Sequence, residues 1–212
     1  MRKIKQILKQ SLEALKVMHA KSWYHRDIKP ANIMLAEKEN FCTLKLVDLG
    51  DVKKFSKLQR TQSRVGTPDY AACDIFENES KPVYGLYVDI FSLGRMFLVL
   101  LGIEIQPEQF CKYLKQLRQD VNFREEVCGK EGGCFSYFVK KIFHGEVYDT
   151  DRKFKSAKRI LKSIGEDDSI IYAFMVKMFE SDVTAEELLA SKWLENTEDC
   201  SRSDSKINRR SF

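Results

Sequence analysis

Tyr87 to Leu101 reads YVDIFSLGRMFLVLL, and wound as an α-helix it places apolar side chains on nearly every face. A helix that is apolar all round must be enclosed by other elements, so the chain has to fold around this segment. Its longest unbroken apolar run, Met96 to Leu101, is far short of the roughly 20 residues a bilayer requires, and Asp89 and Arg95 interrupt its approach. We therefore expect a soluble protein with a central buried helix over about 87–101 and no membrane partner.

The rest of the chain must supply the enclosure. With 212 residues, 43% of them hydrophobic, it is long enough for one domain with a sizeable core and too short for two large ones. From Ile4, the residues Leu8, Leu12, Leu15 and Met18 recur at helical spacing while Lys3, Lys5, Lys9 and Lys16 fill much of the other face, which predicts a first helix ending near Trp23. Short strands follow over Ile33–Leu35 and Thr43–Val47, joined by the polar AEKEN stretch as a hairpin. Residues 51–69 are polar and basic and read as a long loop. Further helices are expected over 107–120, 135–143, 155–163 and 167–180. Thr184 and Glu187 sit at capping-box spacing ahead of a last helix carrying Leu188, Leu189 and Trp193. Residues 195–212 have almost no core formers and are expected to be a disordered tail.

A net charge of +5 is ordinary solvated surface and gives no argument for nucleic acid as a partner. The six cysteines, at 42, 73, 111, 128, 134 and 200, form no CxxC pair. We expect no signal peptide, free thiols in a reducing compartment, and hence an intracellular protein, cytoplasmic or nuclear. Zinc at Cys128 and Cys134 is a weaker alternative.

The stretch YHRDIKPANIML, Tyr24 to Leu35, concentrates the chemistry. Phosphoryl transfer needs a carboxylate to accept a proton from the attacking hydroxyl, cations around the phosphate, and oxygen ligands for magnesium. Asp27 is the candidate proton acceptor, Lys29 the nearby positive charge and Asn32 an uncharged oxygen ligand. Asp48, just past a strand end, would be the anionic ligand, because magnesium is bound through one or two carboxylates plus substrate phosphates.

Taken in order, HRDIKPAN, VDLG, GTPDY and VDIFSLG resemble the larger, C-terminal lobe of a eukaryotic-type protein kinase. The lysine two residues after the aspartate resembles the serine/threonine branch. The resemblance covers residues 4–194 and implies a mainly α fold with a small β-hairpin (α+β), organised as a kinase-like C-lobe over 1–194 with a catalytic loop at 25–32 and an activation segment at 48–74. It implies Asp27 as catalytic base, Lys29 as neutraliser of the transferring phosphate, and Asn32 and Asp48 as magnesium ligands. Thr67 would hydrogen-bond the catalytic loop, Met34 would floor the adenine of ATP, and Asp89 would hold the backbone of the HRD loop. Arg26 would grip a phosphorylated loop, with Thr61 or Ser63 as the phosphate carrier and Arg60 and Arg64 adding charge. ATP and Mg2+ are the implied cofactors and a protein hydroxyl the implied substrate.

Two departures qualify the resemblance. Nothing before the first helix supplies a glycine-rich phosphate loop or a strand lysine, so a lobe is missing from the pattern and another chain could supply it. The usual Ala-Pro-Glu is Ala-Cys-Asp at Ala72–Asp74, and SDVTAEE lacks the arginine that would pair with it. We expect Asp74 to turn toward solvent or another cation. Two functions follow as expectations: a truncated serine/threonine protein kinase, or a catalytically inactive pseudokinase or scaffold lobe that binds a partner protein.

Overall fold

A computed structural model describes residues 2–54, 65–77, 85–103, 105–119, 168–180, 182–195 and 197. The expected helices at 135–143 and 155–163 lie outside the described residues, as does most of the expected tail.

Helix α1, Arg2–Ala20, buries Leu8, Leu12 and Leu15 completely. It stops short of Trp23 because Ser22 turns left-handed (φ 59°), its amide donating back to the carbonyl of His19 at 2.9 Å. The chain then runs out as strand β1, Trp23–Tyr24. Pro30–Asn32 form a single 3-10 turn, and β2 (Ile33–Leu35) pairs antiparallel with β3 (Leu44–Leu46) in the register Ile33 to Leu46, Met34 to Lys45 and Leu35 to Leu44. β3 is shorter than expected at its start because Phe41–Thr43 form a 3-10 turn, in which the Asn40 side chain accepts from the Cys42 amide at 3.1 Å. Within the expected long loop, β4 (Lys53–Lys54) pairs with β1 as a two-stranded ribbon.

Helix α2 spans Cys73–Glu77, α3 Tyr87–Leu100, α4 Pro107–Gln119, α5 Asp168–Lys177, α6 Ala185–Leu189 and α7 Lys192–Glu195. α3 is the axis of the core, with every residue from Val88 to Leu98 buried. Its rings lead into two aromatic clusters. Phe91 meets Phe110 and Phe179 edge-on at 5.9 and 5.1 Å, while Phe97 meets Phe174 and Trp193 at 6.0 and 5.2 Å. Gly94 makes the first cluster possible: a Cβ there would lie 2.8 Å from the Phe179 ring. The sequence-predicted capping box is present, Thr184 Oγ1 accepting from the Glu187 amide and Glu187 accepting from the Thr184 amide.

One expectation is corrected. Cys73 and Cys111 form a disulfide joining α2 to α4, and Cys42 is disulfide-bonded as well, so these are not free thiols. The fold brings 73 and 111 to a Cα separation of 5.6 Å, which spacing along the chain could not reveal. At the start of the expected tail, Glu195 closes α7 and Thr197 is buried, its carbonyl accepting from Lys9 at 3.4 Å. No helix among the described residues is long and apolar enough to cross a membrane.

Candidate active site

The site begins at a buried carboxylate on α3. Asp89, fully buried, accepts from the backbone amides of His25 and Arg26, each at 2.8 Å, and lies 2.9 Å from His19 Nε2. A carboxylate taken out of water must be paid back in hydrogen bonds, and here the donors are those of the loop that leaves β1. Arg26 needs this grip because it is left-handed (φ 71°), a conformation that costs a residue with a Cβ. His25, also fully buried, donates from Nε2 to the Val47 carbonyl at 3.2 Å, tying the loop to the end of β3.

The next residue is Asp27, whose carboxylate collects the side chains around it. One oxygen accepts from the Thr67 hydroxyl at 2.7 Å and the Thr67 amide at 3.1 Å. The other accepts from Asn32 Nδ2 at 2.9 Å and pairs with the Lys29 ammonium at 2.7 Å, which also donates to Thr67 Oγ1 at 3.0 Å. The Pro30–Asn32 turn makes this closure possible by folding Asn32 back, its amide donating to the Lys29 carbonyl and its side chain to the Asp27 carbonyl at 2.8 Å. Gly66 delivers Thr67: its φ is +118°, and a Cβ would stand 2.9 Å from the Arg26 carbonyl.

Burial alone would raise the Asp27 pKa, but hydrogen bonds from Lys29 and Thr67, the Lys29 charge and the Asn32 amide outweigh it and hold the group below its ordinary value. The Lys29 ammonium is held above its ordinary value, chiefly by its hydrogen bond to Asp27 against some desolvation, with Asp48 and Asp51 adding attraction. Both groups are therefore charged at neutral pH. Such an Asp27 is a weak ground-state base, fitted to orienting a hydroxyl and taking its proton only as that proton becomes acidic.

Asp48 follows Val47, whose amide donates to the Asn32 carbonyl at 2.9 Å, so Asp48 leaves the hairpin beside Asn32. It is left-handed (φ 61°) and exposed, and one carboxylate oxygen accepts only a long bond, 3.4 Å, from the Gly50 amide. Asn32 turns its nitrogen toward Asp27, leaving its carbonyl oxygen as the acceptor on the other side. One amide oxygen and one exposed carboxylate fit magnesium, which keeps several waters and takes further oxygens from substrate phosphates. Asn32 and Asp48 would hold it.

The remaining predicted residues divide. Met34 is 56% exposed on β2, and Leu49 is 61% exposed just beyond Asp48. Arg26 lays its guanidinium over the Tyr24 ring at 5.6 Å and donates from Nε to the Asp51 carbonyl at 2.5 Å. Thr61 and Ser63, with Arg60 and Arg64, lie outside the described residues. Asp74 departs from the expected cation: among the described residues its hydrogen-bond partner is the Tyr87 hydroxyl, a neutral donor at 2.7 Å, and the residue stays partly exposed.

A model of the protein kinase domain matches residues 1–194. The chain belongs to the eukaryotic-type serine/threonine protein kinase family. Among curated proteins, this kinase-family chain is 40% identical over 102 residues to a serine/threonine-protein kinase, chk-2, of Caenorhabditis elegans, an alignment covering 48% of this chain and 21% of the relative. It is 34% identical over 131 residues to the meiosis-specific serine/threonine-protein kinase mek1 of Schizosaccharomyces pombe (57% and 28%), and 35% identical over 95 residues to a probable serine/threonine-protein kinase, fhkC, of Dictyostelium discoideum (45% and 16%). The chain thus spans less than a third of the curated relatives it matches.

Sequence reasoning about this kinase-family chain missed three contributors. His19 sits on the last turn of α1 and reads there as one more polar surface residue. Tyr87 gave no signal for Asp74. Arg95 showed only as an interruption in an apolar run, yet it is 5% exposed, and burial brings its pKa down to about 10 against attraction from Asp69 and Tyr70.

Proposed function

We propose that this chain carries the catalytic and substrate-facing half of a serine/threonine protein kinase that transfers the γ-phosphate of ATP to a protein serine or threonine hydroxyl. The observation that carries the reading is the convergence of Thr67, Lys29 and Asn32 on the single carboxylate of Asp27. In this reading the substrate hydroxyl approaches beside Thr67 and donates toward Asp27, which orients it and receives its proton as the new P–O bond forms. Lys29 offsets charge on the transferring phosphate from its position between Asp27 and Thr67. Magnesium, held by Asn32 and Asp48, supplies charge neutralisation of the triphosphate when bound. Met34 would contact the adenine from below. A lobe covering the nucleotide from above, from this polypeptide or a partner chain, completes the site, and Thr61 or Ser63 would carry a phosphate read by Arg26.

A second reading, a catalytically inactive pseudokinase or scaffold lobe that binds a partner protein, draws on the exposure of two large apolar side chains, Met34 and Leu49. The test is transfer of labelled phosphate from Mg-ATP to a serine/threonine peptide array, with calorimetry for Mg-ATP. Transfer that Asp27→Asn abolishes supports the kinase. Absence of both transfer and micromolar nucleotide binding supports the scaffold.

A further inference from the structure

Arg95 lies six residues beyond Asp89 on α3, roughly 9 Å along the helix axis at 1.5 Å per residue. Asp89 holds the catalytic loop; Arg95 holds something else. Its Nε donates to the Asp69 carbonyl at 3.0 Å, its Nη2 donates to the Ile105 carbonyl at 2.7 Å, and its guanidinium lies over the Phe110 ring at 4.5 Å. Among the described residues its hydrogen-bond partners are therefore two carbonyl oxygens, with a ring face for the remaining charge. A buried guanidinium that hydrogen-bonds no carboxylate among the described residues, and draws on Asp69 only through longer-range attraction, is a costly way to fill a core, so its geometry calls for a reason.

The reason lies in what Asp69 belongs to. The segment Gly66–Tyr70 passes the Arg26 carbonyl at Gly66, bonds Asp27 and Lys29 through Thr67, and closes a turn in which the amides of Tyr70 and Ala71 donate to the Thr67 carbonyl, each at 3.0 Å. In the kinase reading above, the substrate hydroxyl approaches Asp27 beside Thr67 of this segment. The segment is gripped near its C-terminal end, at Asp69 by Arg95, and the chain just beyond it is held at Cys73 by the disulfide to Cys111, the residue next to Phe110 on α4. Among the described residues Asp74 makes no ion pair, its partner being the Tyr87 hydroxyl.

We infer that Arg95 is a positioning residue for the protein substrate: by fixing the Asp69 carbonyl to the same helix that fixes the catalytic loop, it sets the substrate-facing segment in register with Asp27. This deepens the kinase reading above and rests on it. A planar fork is required, because one donor group must span two carbonyls in fixed directions. Lysine offers a compact ammonium on a flexible stem in place of the fork, so it does not fix the two directions together.

The test uses the full 212-residue chain, Arg95→Met and Arg95→Lys, with amide hydrogen exchange and steady-state kinetics on the best peptide from the array. Expected for Arg95→Met is exchange at residues 66–71 faster by about tenfold, the loss typical of a charge-assisted hydrogen bond, with the catalytic-loop amides of 25–29 unchanged. Peptide KM rises about tenfold while the KM for Mg-ATP stays constant, and Arg95→Lys falls between. Equal acceleration across 66–71, 25–29 and the core amides of α3 would make Arg95 a fold residue only and overturn the inference, as would unchanged exchange or a peptide KM that does not move. If the wild-type chain transfers no phosphate, the kinase reading fails, and the exchange pattern still decides whether Arg95 anchors the segment.

Discussion

Thr67 donates twice to one oxygen of Asp27, through its hydroxyl at 2.7 Å and its amide at 3.1 Å, although 40 residues separate them. The loop that carries Asp27 and the segment that carries Thr67 are thereby joined at the carboxylate that, in the proposed kinase reaction, receives the proton. Removing the hydroxyl leaves the amide bond and the Lys29 ammonium in place. Thr67→Ala should lower kcat by about tenfold and cost about 1 kcal/mol of stability, whereas Thr67→Ser, which keeps the oxygen, should recover most of both. An unchanged kcat in Thr67→Ala would show that the contact is incidental.

Gly66 is the residue that permits this contact. Gly66→Ala would force a Cβ toward the Arg26 carbonyl at a φ of +118°, and we expect a loss of about 1–3 kcal/mol with transfer activity reduced more than in a stability-matched core variant such as Gly94→Ala. Urea unfolding and initial rates on both variants check it; proportional losses in the two would count against a local role.

Asp89 satisfies two backbone amides at once. Asp89→Asn keeps the volume but removes the charge and one acceptor, so about 3 kcal/mol should be lost, read as a lower urea midpoint at unchanged slope. A loss below about 0.5 kcal/mol, the range of surface substitutions, would mean that the loop holds its shape without this carboxylate.

The pH response follows from the signs of the two shifts. Asp27 has a folded pKa below its ordinary 3.8, so its contribution to stability is fully present above that value and is lost as pH falls through the depressed one. Lys29 has a folded pKa above 10.5, so its contribution is fully present below 10.5 and is lost as pH rises through the raised value. Between about pH 5 and 9 the pair should leave both stability and transfer rate flat. A rate inflection between pH 6 and 8 that Asp27→Asn removes would contradict this.

The Cys73–Cys111 bridge closes a long loop across α2 and α4. Reduction should cost about 2–4 kcal/mol by freeing the unfolded chain, detectable as a urea midpoint that falls on adding dithiothreitol, and Cys111→Ser should respond less to the reductant than the wild type, the Cys42 bond remaining reducible in both. Peptide mapping without reductant should recover residues 73 and 111 in one linked species; its absence under oxidising conditions would disprove the bridge.

Local chemistry, which a reader can take from neighbouring letters, decided the elements and the ingredients. The all-round apolarity of residues 87–101 predicted a buried axis, short apolar pieces around the polar AEKEN turn placed a hairpin over Ile33–Leu35 and Thr43–Val47, of which Leu44–Leu46 forms the second strand, Thr184 and Glu187 declared their cap, and the order of HRDIKPAN, VDLG and GTPDY named the residues that meet at Asp27. Those features rest on periods of a few residues or on a family's fixed pattern. Contacts between distant segments obey no such period. The disulfide between 73 and 111, the hydrogen bond that turns Asp74 to Tyr87, and the conversion of Arg95 from a break in an apolar run into a fork across two carbonyls all depended on how α2, α3 and α4 packed, because only packing brings groups that far apart in the chain to within hydrogen-bond or disulfide reach.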